Sequence, residues 1–345
     1  MKTEYVTAER DDVDPLVEIP FEVRDHEHGC RLDVFLSRRI QRMSRTFAAR
    51  LVLLGRVRRG DDAQRLRPSV RVFEGETIIV KRRPLVEGDT DAIEIPVLYE
   101  DSHLVAVSKP GNLVVHPTAS HYRRTLIRIM RTRREEEALD LAHRIDKETS
   151  GVILMARTFE AASDLKTQFQ TRRVQKVYLA IVAGRPTDDE LELDAPMRLA
   201  QSESKCVMEV HPEGLPASTG VRVLARGDDA ALVEARPHTG RQHQIRVHLM
   251  HWGHPIVGDK LYVGGEQFFM DALDGHYDDE AIRRTVGHER QALHAHWTRF
   301  RHPVTKASMA ITAPLPPDLV DLAARFGIPA GAPVSDAEPL SETGS

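Results

Sequence analysis

The chain has 345 residues, 41% of them hydrophobic and 29% charged, with a formal net charge of −4. That is the balance of a globular protein with a sizeable core and room for about two domains. No apolar run approaches the ~20 residues of a membrane-spanning helix, and the acidic Met1–Pro20 stretch lacks the apolar core of a secretory signal. Two cysteines, Cys30 and Cys206, form neither a disulfide framework nor a Cys-x-x-Cys motif, so a reducing cytoplasm is the expected setting.

Residues 1–20 carry scattered acids and little periodicity and read as a mobile lead-in. From Gly29 the pattern becomes helical, with Leu32, Phe35, Leu36 and Ile40 on one face. Ser44 is placed to cap a second helix with apolar positions Phe47, Leu51 and Leu54, and Gly55 stands where that helix should end. Arg56-Val57-Arg58 and Glu74–Val80 read as short strands. The overall acidity hides a strong local asymmetry: residues 31–83 hold 15 Lys and Arg against five acids. Such a segment neutralises phosphates with salt-sensitive, largely sequence-blind affinity. The expected contacts are Arg31, Arg38, Arg39, Arg42, Arg45, Arg50 and Arg56, projecting from the polar side of the helix pair. The spacing from Arg31-Leu32-Asp33 through Ser44-Arg45 to Gly55-Arg56-Val57 resembles a small RNA-binding module of a small-subunit ribosomal protein. A basic RNA-binding module is therefore expected over residues 21–83, with a Pro- and acid-containing linker over 84–95.

Further on, His143-Arg144-Ile145-Asp146-Lys147-Glu148-Thr149-Ser150-Gly151 precedes the apolar run Val152–Ala156. This reads as a polar loop presenting Asp146 just before a buried strand. Taken by itself, the nonapeptide serves equally well as a turn in which Asp146 pairs with Arg144. Thr158 is placed to cap a helix to about Arg172, with Phe159, Ala162, Leu165 and Phe169 on one side. In the strand Val174–Ala183, alternation puts Lys176 and Tyr178 together on the face opposite Val177, Leu179 and Ile181. Leu232–Arg236 reads as a strand, and Gln242–Trp252 as a helix ended by Gly253 with Ile245, Leu249 and Trp252 inward. Residues 263–290 read as an insertion or long loop, and 319–345 as a C-terminal tail, Pro-, Ala- and Ser-rich after Phe326.

The nonapeptide resembles the catalytic signature of RNA pseudouridine synthases of the RluA type, differing only in Ile145 for Leu. Four further segments match that family in order: Glu100–Pro117, Lys176–Ala180, Thr239–Asp259, and Leu293-His294-Ala295 with His302-Pro303 and Ala313–Pro316. The resemblance implies an α+β catalytic domain over residues 96–318, a mixed and largely antiparallel sheet with flanking helices and a central cleft. The implied reaction breaks the uridine C1′–N1 bond, rotates the base and joins C1′ to C5, releasing the C5 proton. No electrons are exchanged, so no cofactor is expected. Asp146 is the implied carboxylate, Arg246 the cation that keeps it ionised, and Tyr178 the surface for the base and its C5 proton. Arg144 is implied to fill the space of the extruded nucleotide, and His143, Lys109, Lys176 and Arg241 to contact substrate. Without the family, Tyr178 would read as a packing residue and Arg246 as a surface residue.

The histidines His238, His243, His248, His251 and His254 are dense, but His243 and His248 lie five apart and no His-Glu-x-x-His occurs, so no metal site is expected. Structured ribosomal RNA, of the large subunit before transfer RNA, is the expected partner, and a monomer the expected state. Two other classes fit parts of the sequence: a non-catalytic RNA-binding or ribosome-assembly factor, and a hydrolase of a nucleosidic or glycosidic bond using Glu148 as second acid.

Overall fold

The computed structural model describes residues 17–40, 43, 45–62, 64–82, 90, 92–117, 124–202, 204, 206–273 and 275–329. Contacts divide the chain into two compact units, with the boundary at Val86.

The first unit contains β1 (Val17–Glu22), α1 (Leu32–Arg39), α2 (Arg45–Leu53), β2 (Val57–Arg59) and β3 (Thr77–Arg82). Its antiparallel sheet has the order β1-β3-β2. Leu32, Phe35 and Leu36 of α1 pack with Ala48, Leu51 and Val52 of α2 over Val57, Ile78 and Val80 of the sheet. The expected helical stripe is thus present, except that Leu54 lies beyond α2 and is 53% exposed. Ser44, expected as the α2 cap, falls outside the described residues. β1 begins inside the stretch read as a lead-in. Pro20 obscured it, yet a proline is tolerated there because β1 is an edge strand.

The second unit opens with β4 (Val97–Glu100), β5 (Leu104–Lys109), α3 (Leu126–Arg134), β6 (Asp140–Leu141), β7 (Ser150–Ala156), α4 (Phe159–Gln170) and β8 (Gln175–Ala183). It continues through β9 (Glu190–Asp194), β10 (Met197–Leu199), β11 (Met208–Val210), β12 (Ser218–Arg226), β13 (Ala230–Pro237) and α5 (Gln244–His251). The last elements are α6 (Glu266–Leu273), α7 (Asp279–Val286), β14 (Leu293–Arg301), β15 (Ser308–Thr312) and α8 (Pro317–Arg325). A ten-stranded sheet runs β4-β5-β7-β14-β8-β13-β12-β9, with β15 on β14 and β6 on β7. Every pairing is antiparallel except β7 with β14. The fold is α+β. No helix of the described residues is long and apolar enough to cross a membrane.

β7 explains its own sequence. Val152, Leu154 and Ala156 pack with Ala161, Ala162 and Leu165 of α4, while Ile153 and Met155 pack with Leu126, Ile127, Ile129 and Met130 of α3. A strand buried on both faces is apolar throughout rather than alternating. Thr158 caps α4 by accepting from the Ala161 N–H at 3.2 Å, but Phe159, placed inward by periodicity, is 84% exposed. Three other expectations need correction. Ile93 and Ile95 of the supposed linker pack into the second unit. The insertion holds α6 and α7, the latter capped by Asp278 accepting from the Ala281 N–H at 2.8 Å. Residues 319–325 are α8, whose Leu319 and Leu322 join the core beneath β8 and β13; proline at its first turn masked a helix that proline in fact favours.

Gly151 lies between Lys109 of β5 and Ala295 of β14, at φ +113°, and a Cβ there would sit 2.1 Å from the Ala295 carbonyl oxygen. Gly151→Ala is expected to cost about 3–5 kcal/mol, because the clash is with backbone. Gly253→Ala, at φ +90° with nothing within 4 Å of the added carbon, should cost only about 1–2 kcal/mol. Urea titrations of both variants check this, and equal losses would refute the clash.

Candidate active site

Asp146 sits in the loop between β6 and β7, and Arg246 one turn into α5. Arg246 Nη1 donates to Asp146 Oδ2 at 3.0 Å across 100 residues of sequence. The same guanidinium donates from Nε and Nη2 to Asp259, at 2.7 and 2.9 Å. Asp259 in turn accepts from the backbone N–H groups of Leu261 and Tyr262. The Arg246 guanidinium carbon also lies 4.9 Å from the centre of the Tyr262 ring. Arg246 is 7% exposed and Asp259 1%, whereas the Asp146 side chain keeps 35% exposure. The cation is thus oriented by a buried carboxylate and offers its remaining N–H to an accessible one. Burial alone would push the Asp146 pKa up. The charge of Arg246, with His243 and hydrogen bonds from Arg246 and Gln291, outweighs burial and holds it below its ordinary value of 3.8. Desolvation works against the Arg246 charge, yet Asp259 and Asp146 raise its pKa further above the ordinary range.

The loop carrying Asp146 is fastened from several sides. Lys109, expected to contact substrate, is instead fully buried, and its ammonium donates to the carbonyls of Pro110, Leu113 and Lys147 at 2.8–2.9 Å. Burial, with the nearby Arg290 charge, pulls its pKa well down. Its place is therefore inside the loop's support. His143 needs the same correction: its Nε2 accepts from the Leu154 N–H at 3.1 Å and its ring stacks on Phe169 at 4.3 Å. Burial, helped by the Lys176 charge, drives its pKa down to about 3, so it is a neutral acceptor. Gln291 donates to Thr149 Oγ1 at 2.6 Å. Glu148 takes Lys260 at 2.6 Å on one oxygen and the Gln291 N–H at 3.1 Å on the other. With both oxygens engaged, Glu148 is poorly placed as the second acid of a hydrolase.

Tyr178 projects from β8 between Ala235 of β13 and Ala295 of β14. The ring is half-buried and packs against the hydrophobic core of the sheet. Burial first, and the Asp146 charge second, push its pKa up, which keeps the phenol protonated. Lys176 follows on the same face, half-buried, and burial lowers its pKa. Arg144 is exposed. Arg241 donates from Nε to the Pro216 carbonyl at 3.3 Å, and its own N–H is held by Gln244.

In the first unit the basic residues divide. Arg38 and Arg50 are exposed and Arg56 is half-buried. Arg31 and Arg45 both reach Asp33, at 2.9 and 3.0 Å, while staying 41% and 58% exposed. Arg39 is turned inward, paired with Glu27 at 3.1 Å and only 20% exposed, which departs from the outward row read in the helix. Arg42 lies outside the described residues. The histidines are occupied structurally: His248 between Thr219 and Ala195, His254 on the Ala183 carbonyl, His294 between Ser150 and Ala313. Among the described residues no group of three or more His, Cys, Asp or Glu could hold a metal ion.

The sequence reading assigned no role to Asp259, Gln291, Lys260 or Tyr262. Asp259 stands 13 residues after Arg246, a spacing no helix or strand period singles out. Only its place in the segment matching the third motif could have marked it.

The family model described as RNA pseudouridylate synthase matches residues 103–251. A Xylella fastidiosa protein named ribosomal large subunit pseudouridine synthase D is 35% identical, over 88% of this chain and 90% of its own. Ribosomal large subunit pseudouridine synthase C of Vibrio vulnificus is 32% identical, over 83% and 90%. Among solved structures, human RNA pseudouridylate synthase domain containing 1 superposes with a TM-score of 0.54 at 25% identity, covering 70% of this chain and 90% of that one. With the carboxylate and guanidinium paired as described, and with relatives matched along nearly their whole length, the chain belongs to the RluA-type family of RNA pseudouridine synthases.

Proposed function

We propose that this enzyme converts a specific uridine of large-subunit ribosomal RNA to pseudouridine, using Asp146 as the reacting carboxylate. The observation that carries the reading is the 3.0 Å pair between Asp146 and Arg246, supplied by two motifs 100 residues apart. Ribosomal RNA is favoured by what the matched bacterial relatives are named for, and by the basic segment 31–83. That segment is read as an RNA-binding module that adds phosphate contacts through Arg31, Arg38, Arg45, Arg50 and Arg56. The enzyme is further read as a cytoplasmic monomer that needs no cofactor.

The chemistry follows from placement. The target nucleotide leaves its stack, and Arg144 fills the space behind it. The uracil lies against Tyr178, with its sugar at Asp146. Held ionised, the carboxylate serves either of two routes: addition to C1′, or proton removal that leaves a glycal-like sugar. Each frees N1, lets the base rotate and ends with C1′ bonded to C5: in the first the C1′–carboxylate bond breaks as C5 bonds to C1′, in the second Asp146 returns the proton to C2′, and in both the C5 proton then leaves near the phenol. Lys176 and Arg241 are read as contacts to the RNA backbone.

Asp146→Asn is expected to abolish tritium release from ribosomal RNA labelled at uracil C5, by more than about 10³-fold, while the circular dichroism spectrum is unchanged. An unaltered rate would remove Asp146 from the chemistry. Mapping pseudouridines in a deletion strain identifies the target: a site lost from transfer RNA alone would overturn the ribosomal assignment.

The pair also sets a pH dependence. A lowered carboxylate pKa keeps Asp146 ionised, so kcat/KM should hold its plateau through the ordinary carboxylate range and fall only below it. In the double variant Arg246→Gln, Asp259→Asn the counter-charge to Asp146 is gone while burial persists, and Asp259 is not left as a second uncompensated acid. Its residual activity should show the acid limb moved above about pH 4. A limb that stays put in the pH–rate profile would show that Arg246 does not tune the acid.

A further inference from the structure

His243 occupies a costly position. It is the residue before α5, and its backbone is left-handed at φ +55°. Such a conformation is strained for a residue with a side chain and open to glycine. The imidazole is 11% exposed and sits edge-on to the Tyr262 ring at 5.7 Å between centroids. Its Nδ1 lies 2.9 Å from the Tyr262 hydroxyl, and its Nε2 lies 4.0 Å from Asp146 Oδ2, the oxygen that Arg246 also holds.

Pairing assigns the tautomer. The Tyr262 hydroxyl accepts from the Met208 N–H at 3.0 Å. Its own proton is therefore best used on His243 Nδ1, since the opposite assignment would strand the phenol proton. Nδ1 is then an acceptor and Nε2 carries the hydrogen. Burial, and then the Arg246 charge, keep the ring neutral by lowering its pKa to about 4, against the pull of Asp146 and Asp259. The result is a fixed relay from the Met208 N–H through the Tyr262 O–H to a neutral N–H facing the carboxylate. At 4.0 Å the last step is longer than a hydrogen bond, and such contacts tighten when substrate excludes water.

We propose that His243 is a positioning residue of the isomerisation, whose Nε2–H, locked by Tyr262, closes onto Asp146 Oδ2 beside Arg246 once the nucleotide is bound. The inference rests on Asp146 being the reacting carboxylate. Two donors converging on one oxygen would fix the rotation of the carboxylate and turn its other oxygen toward the sugar. A neutral donor suits this task, because a second cation would further weaken the acid as base or nucleophile.

His243→Gly is the decisive variant, since glycine accepts φ +55° and leaves a space that free imidazole can enter. With a C5-tritiated large-subunit RNA transcript at saturation, its single-turnover rate should fall about 10- to 100-fold, the loss of one hydrogen bond to a charged group. Its dissociation constant for the same RNA should stay within about twofold, and added imidazole should raise the rate in proportion to its concentration. A rate within threefold of wild type would overturn the proposal. So would a loss that imidazole leaves unmoved, which marks a packing or RNA-contact role. Should the glycine variant fail to fold, Tyr262→Phe carries the test: releasing the lock should lower kcat several-fold at constant KM, and an unchanged kcat refutes it. Wild-type and Asp146→Asn proteins run alongside separate the two failures: an inactive wild type refutes the underlying reaction, an active one with an indifferent His243 refutes only this inference.

Discussion

The site depends on one buried guanidinium shared between two carboxylates. Arg246 is taken out of water almost completely, a loss that a single partner seldom recovers. Asp259 compensates it with two hydrogen bonds of near-ideal length, and is itself neutralised by two backbone N–H groups. The third guanidinium nitrogen is thereby free to act on Asp146 without having to stabilise its own burial. Because Asp259 fixes the plane of the fork, the direction of the remaining N–H is set before any substrate arrives. Preorganisation of this kind lets charge develop at the sugar without the solvent rearrangement that water would require.

A fixed cation is useful only if the acid meets it. The loop from His143 to Thr149 has few apolar residues to anchor it, and its stability is polar. Lys109 commits three donors to carbonyls, one of them that of Lys147, next to Asp146. Glu148 and Thr149 are clamped by Lys260, Arg290 and Gln291. A buried ammonium with no carboxylate bonded to it is an expensive fastener, which fits a loop whose precision matters more than its cost. The strain carried at His243 belongs to the same pattern.

What was legible in the sequence was whatever a period or a motif records. The unbroken apolar run of β7, the Thr158 cap and the pairing of Lys176 with Tyr178 on one face of β8 all came from local pattern. The core triad came from matched motifs; periodicity by itself would have left Tyr178 and Arg246 as ordinary packing and surface residues. The misses share a cause. Lys109 and His143 look like substrate contacts in a polar motif, and only the fold reveals that their polar atoms turn inward to satisfy backbone groups. Arg39 looks like one more cation in a basic row, but a long flexible side chain can fold back to Glu27, which helical phase does not constrain. α8 and β1 were hidden by Pro317 and Pro20, each standing at one of the few places where proline is compatible with its element.

The placement of these groups beside one another traces to a single topological choice. Among the described residues β7 and β14 are the only parallel neighbours in a sheet that is otherwise antiparallel, with His294 opposite Ser150 and Ala295 opposite Gly151. Parallel strands start at the same edge. The residues that precede β7, from Asp146 to Thr149, therefore lie next to those that precede β14, from Glu289 to Gln291. Arg290, Gln291 and, through the Glu289 carbonyl, Lys260 reach the Asp146 loop from there. An antiparallel pairing would have brought the far end of β14 to that edge and left the loop without its clamp. Gly151 is the local cost of the arrangement: the two strands approach so closely at their shared start that no side chain fits between them. The glycine that closes the signature is thus there for the contact between strands, and the carboxylate five residues earlier keeps its position because that contact is made.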